Sequence, residues 1–102
     1  MKIKILRRES NELKIELEGE GHTFCNMLEK ALLEDEAVEM AGYNVPHPLM
    51  TKSIVYVRTK GRRKPEATLR DAAKKLRKRS GELRKALEEA FKEYNKPLTS
   101  DS

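Results

Sequence analysis

A chain of 102 residues, 37% hydrophobic and 38% charged, has the length of one domain and apolar surface for a thin two-layer core. One cysteine excludes an internal disulfide and fits a reducing compartment, and no apolar run approaches the roughly 20 residues a membrane span needs. The net charge of +5 is unevenly placed: residues 58–85 hold 13 Lys and Arg against Glu66, Asp71 and Glu82, a local balance of +10 that leaves the remainder at −5. Such asymmetry marks either a nucleic-acid face or the solvated side of a helix.

The first seven residues of the pattern, 2–8, alternate: Ile3 and Ile5 face one way, Lys2 and Lys4 the other. An opening that already reads as a strand is not a secretory signal, so a soluble cytoplasmic protein is expected. Glu9, Ser10 and Asn11 supply turn residues. Leu13, Ile15 and Leu17 then alternate with Glu12, Lys14, Glu16 and Glu18, which predicts a hairpin with one buried and one wet face. Charge this high is compatible with disorder, but periodic apolar residues argue for a folded chain.

Gly19 and Gly21 end the alternation. Thr23 is the predicted N-cap of a helix over about 23–35. Phe24, Met27, Leu28, Ala31 and Leu32 recur at helical spacing, widened by Cys25 and Leu33. Glu34, Asp35 and Glu36 are unfavourable at a helix C-terminus and stop it. Residues 37–45 read as a strand with a bulge at Gly42, where the alternation changes phase. Pro46-His47-Pro48 ends that strand, because proline cannot donate to a ladder. Residues 53–58 are β-branched and aromatic, a strand apolar on both faces, and 60–65 form a basic loop.

The last predicted element is a helix beginning between Pro65 and Thr68, with Thr68 and Asp71 as a loose capping box. Leu69, Ala73, Leu76, Ser80, Leu83, Leu87, Ala90 and Tyr94 follow at alternating steps of four and three, flanked by Ala86 and Phe91. That is a heptad-like seam. Pro97 ends the helix near Asn95, giving one domain over 1–95 and a disordered tail over 96–102. The order ββαββα predicts an α+β two-layer sandwich, one mostly antiparallel sheet with two helices.

An unbroken last helix of about 27 residues would be about 40 Å long. A compact domain of about 100 residues has a diameter of roughly 33 Å. The seam then outruns the body, and Leu83, Leu87, Ala90 and Phe91 form an apolar overhang of the kind that marks an interface. The first helix adds apolar surface of its own. The expected partner interface is Phe24, Met27, Leu28 and Ala31 together with Leu83, Leu87 and Phe91. The alternative is a bend at Ser80-Gly81 that folds the helix back as two shorter ones.

Catalytic chemistry finds no footing. His22 and Cys25 stand three apart, but no further Cys or His spacing completes a metal set. No third group orients a Cys–His pair, so Cys25 reads as a half-buried helix residue. Gly19-Glu20-Gly21 lacks the later glycine of a phosphate loop. No catalytic, cofactor or metal residue is assigned. Lys60, Arg62, Arg63 and Lys64, and then Lys74, Lys75, Arg77, Lys78 and Arg79, form two basic sets without aromatic interleaving. They suit phosphates at range or acidic neighbours, not base stacking.

Two motifs carry a resemblance. Gly-His-Thr-Phe-Cys-Asn (21–26), before a leucine-rich helix, and Ala-Gly-Tyr-Asn-Val-Pro-His-Pro-Leu (41–49) together resemble the subunit L family of archaeal RNA polymerase, the small α-like subunits. Cys25 stands where that family often has Gly. The resemblance extends over roughly residues 1–95 and implies the α-like dimerisation fold. It also implies a non-catalytic assembly role: pairing, helix against helix, with the larger α-like subunit, the D component of RNA polymerase. That pair would be a platform for the large catalytic subunits, with the small N and P components in the same subassembly. DNA would be met only through the complex. A free-standing small basic nucleic-acid-binding domain is the competing expectation. Like charges of the two basic sets would face each other in a self-pair, so the isolated chain is expected to be a weak, salt-promoted homodimer or a marginal monomer.

Overall fold

The computed structural model describes residues 1–46 and 51–94. Strands β1 (Lys2–Arg8) and β2 (Glu12–Glu18) form the expected hairpin. Their apolar residues alternate with charged ones, so pleating turns Ile3, Ile5, Leu13, Ile15 and Leu17 to one buried face. Ile3 lies opposite Leu17 and Ile5 opposite Ile15; beyond Ile5 the register skips Leu6. β4 (Lys52–Thr59) pairs with both β2 and β3 (Val38–Asn44), giving the order β1-β2-β4-β3 with every pairing antiparallel. Leu13 faces Val57 and Ile15 faces Val55 across the centre.

Two strand expectations change. The bulge falls between Val38 and Met40, not at Gly42. One extra residue there lets Val38 and then Ala41 and Tyr43 pack on the same core, while Met40 turns outward and is 50% exposed. In β4 only the face bearing Ser53, Val55, Val57 and Thr59 is buried; Ile54 and Tyr56 are half-buried on the open side. The helices all lie against the other side.

Helix α1 (His22–Leu33) starts one residue before the expected cap. Gly21 occupies the N-cap in an extended conformation, and the Cys25 amide donates to its carbonyl at 3.1 Å, closing the first turn. Thr23 therefore lies inside the helix and no side chain caps it. At the other end the Ala37 amide donates to Asp35 Oδ1 at 2.8 Å, so Asp35 shapes the turn into β3.

The predicted long helix is two. Helix α2 (Pro65–Lys75) begins with proline in its first turn, and α3 (Ser80–Tyr94) follows residues 76–79. The expected capping box does not form: Thr68 Oγ1 donates to the Pro65 carbonyl at 2.7 Å, and Asp71 is held by Arg63 at 2.5 Å. The helix breaks before the Ser80-Gly81 pair, at extended Leu76 and at Arg79 with φ of 68°. Lys74 with Lys78 and Lys75 with Arg79 would set like charges one turn apart in a continuous helix, each such pair costing a few tenths of a kcal/mol. The break removes them. At 15 residues α3 spans about 22 Å, within a body of 41 × 37 × 25 Å.

No overhang results. α3 folds back over β1 and α2, α2 lies over β2 and β4, and α1 over β3 and β4. Leu83, Ala86, Leu87, Ala90 and Phe91 join Leu28, Leu32, Leu69 and the sheet residues in one core. Burying each large side chain is worth about 1.5–3 kcal/mol relative to exposure. The seam thus covers the chain's own sheet. The expected stop at Asn95 and Pro97, the 96–102 tail and the His47-Pro48 loop lie outside the described residues.

Candidate partner-binding surface

The seven expected interface residues separate by exposure. Phe24, Leu28, Ala31, Leu83, Leu87 and Phe91 are buried in the chain's own core, and Met27 is 46% exposed. The apolar stripe of α1 is wider than the sheet covers. Its inner edge is Phe24, Leu28, Ala31 and Leu32, and its outer face carries Met27 and Leu33 beside Asn26 and Lys30. Leu33 is 52% exposed, and Leu6, Met40 and Tyr94 are the other large exposed apolar residues among those described. Only α1 carries two of them, about 120° apart around its axis.

Beside Met27 stands an ionic clasp that the sequence did not announce. Arg79 donates to both oxygens of Glu20, at 2.6 and 2.5 Å, and to both oxygens of Glu82, at 3.0 and 3.1 Å. Its guanidinium also lies 5.0 Å from the centre of the Phe24 ring. Glu20, Phe24, Met27 and Arg79 together line a shallow hollow at the start of α1. The Glu20 side chain is 5% exposed, so its carboxylate depends on the paired guanidinium. The only sequence signal was a glutamate between two glycines, which reads as a turn.

Hydrogen bonds from Arg79, and then from the Met1 amino group, hold the Glu82 carboxyl down to about 2 from an ordinary 4.5. The folded state therefore binds this proton less readily than the unfolded chain. Its contribution is present above the ordinary range and is lost as pH falls from about 4.5 to about 2. The urea midpoint should drop across that window, and Glu82→Gln should flatten the drop. An unchanged pH profile in that variant would show that Glu82 is not held this way.

The two basic sets are partly consumed internally. Arg63 reaches Asp35 at 2.9 Å as well as Asp71, Lys75 reaches Glu34 at 3.1 Å, and Arg79 is clasped. Outside those sets Arg70 takes Glu88 in a fork at 2.6 and 3.0 Å, and Arg8 pairs with Glu66. Lys60, Arg62, Lys64, Lys74, Arg77 and Lys78 are exposed and form no ion pair among the described residues.

His22 and Cys25 do not converge. His22 is exposed, with Nδ1 at 3.3 Å from the Tyr43 hydroxyl and its ring edge-on to that tyrosine. Cys25 is fully rather than half buried, and burial pushes its thiol up despite the Ser53 hydroxyl beside it. Such a thiol packs as a small apolar group. Among the described residues no helix is long and apolar enough to cross a membrane.

An antiparallel sheet covered on one side by three helices leaves Met27 and Leu33 exposed on α1. Residues 12–95 match the family model described as the RNA polymerase Rpb3/Rpb11 dimerisation domain. The chain belongs to that family. It is 42% identical over 93 residues to DNA-directed RNA polymerase subunit Rpo11 of Thermococcus kodakarensis, covering 89% of this chain and 99% of that one. The Rpo11 subunit of Methanothermobacter thermautotrophicus is 37% identical, over 84% of this chain and 98% of its own. The crystal structure of DNA-directed RNA polymerase subunit L from Thermoplasma acidophilum superposes with a TM-score of 0.65 at 26% identity, over 94% of this chain and 96% of that one. Membership bears out the reading drawn from the 21–26 and 41–49 motifs: an α+β dimerisation fold serving as a non-catalytic assembly subunit of a DNA-directed RNA polymerase.

Proposed function

We propose that this chain pairs one-to-one with the larger α-like subunit, the D component of the polymerase, through the outer face of α1. The pair is the platform for the large catalytic subunits. The small N and P components join the same subassembly, the enzyme works in the cytoplasm, and DNA is met only through the complex. The observation that carries this is Met27, a large apolar side chain 46% exposed on the outer face of α1, in a family defined by dimerisation. Phe24, Leu28 and Ala31 support Met27 from behind, and Leu83, Leu87 and Phe91 brace the sheet beneath. A methionine adapts to irregular partner surfaces, and a buried apolar anchor at an interface is worth about 2 kcal/mol or more. Met27→Asp should therefore abolish co-purification with the larger α-like subunit while leaving the thermal melt of the isolated chain unchanged. Lys78→Ala should do neither. Retained co-purification by a folded Met27→Asp chain would place the interface elsewhere.

The six exposed cations of the two basic sets that form no ion pair among the described residues favour a second reading, a free-standing binder of nucleic-acid backbone. Gel shift of the isolated chain over a salt series separates the two. A binder shows a steep loss of affinity with salt; an assembly subunit shows little shift at any salt.

A further inference from the structure

The link between α2 and α3 points to a second kind of pairing, between two copies of this chain. α3 buries Leu83, Ala86, Leu87, Ala90 and Phe91 against α2 and β1. It is joined to α2 by residues 76–79 alone. That link ends at Arg79 in the left-handed region, the only described residue other than glycine there, a conformation L side chains disfavour. Meanwhile Leu69, Ala73, Leu76, Ser80, Leu83 and Leu87 keep their steps of four and three straight through the link. The sequence therefore encodes a continuous helix as well as a bent one.

Straightening the link would carry α3 off its own body and bare the apolar face beneath. The helix that already fits that face is α3 of a second copy, since every contact is reproduced between chains. Short links under strain favour such exchange. Two features oppose it, and the first is the like-charge pairs Lys74–Lys78 and Lys75–Arg79 that a continuous helix restores. The second is that a straight link turns Arg79 away from Glu20, whose carboxylate is 5% exposed and receives both of its short ionic bonds from Arg79. We propose that two copies of this chain pair by exchanging α3 across residues 76–79, and that the Glu20–Arg79 clasp holds this exchange back.

Sedimentation equilibrium of the full chain tests this with three variants. Arg79→Gly removes the clasp but also relieves the left-handed bend, two opposed effects, and should raise the association constant about threefold. Arg79→Ala removes the clasp and leaves the bend as disfavoured as it is for arginine, and should raise it about tenfold further. Two glycines inserted after Lys78 relax the link and should return the chain to monomer. Arg79→Gly keeps the test readable if Arg79→Ala does not fold. A chain monomeric at every concentration in both Arg79 variants would overturn the exchange. So would a dimer indifferent to the inserted glycines, because it would use another face. Met27→Asp should leave the self-pair intact while blocking the larger α-like subunit, so the two pairings stand or fall separately.

Discussion

Leu87→Asp should unfold the isolated chain. Leu87 is fully buried, on the α3 stripe with Leu83, Ala90 and Phe91. Truncating such a leucine to alanine costs about 2–5 kcal/mol, and an unpaired carboxylate in the same place costs more, because it loses its hydration with nothing in return. A domain of this size is held by about 5–15 kcal/mol in all. Far-UV circular dichroism at room temperature should show lost helix, and Leu87→Ala should melt well below the parent. A native spectrum and an unchanged melt for Leu87→Asp would mean that α3 does not pack on β1 and α2. This also separates two uses of the variant. Failure of Leu87→Asp to co-purify with a partner would report unfolding, whereas Met27→Asp acts on an exposed side chain and reports the surface itself.

Arg79→Ala should lower the urea midpoint at dilute protein, with a loss of about 1–3 kcal/mol. One component is the buried Glu20 carboxylate left without its guanidinium, about 1–3 kcal/mol, toward the lower end because the Arg79 side chain is 39% exposed and partly screened. The left-handed backbone is not a second one, because alanine carries the same disfavoured Cβ there as arginine. Arg79→Gly should lose about 1 kcal/mol less, because glycine adopts that backbone freely. Identical midpoints for the two variants would remove the backbone contribution.

What the sequence made legible follows from period. Leu13, Ile15 and Leu17 alternate against glutamates and lysines, and β2 emerges at the expected residues. Phe24, Leu28, Ala31 and Leu32 repeat at helical spacing and face the core. Where two signals competed, the reading followed the more conspicuous one. Gly42 drew the bulge to itself, yet the extra residue sits between Val38 and Met40, where packing of Ala41 and Tyr43 decides it. The break at residues 76–79 was read only as an alternative, and at Ser80-Gly81, because a heptad seam looks the same whether its helix runs on or folds back. The bend is decided by tertiary contacts: crowded cations on one side and a buried Glu20 on the other. For the same reason Leu83, Leu87 and Phe91 looked like an overhang. Spacing shows which residues are apolar together, not which chain covers them.

The unpaired side of β1 has a further consequence. An edge strand offers free backbone donors and acceptors to any other strand, and a protein awaiting its assembly partners is exposed to that hazard. Here the register skips Leu6, and Lys2, Lys4 and Arg7 stand exposed along the same strand. A kinked, cationic edge is a poor template for another copy. The free chain is thereby guarded against stacking into fibrils through β1.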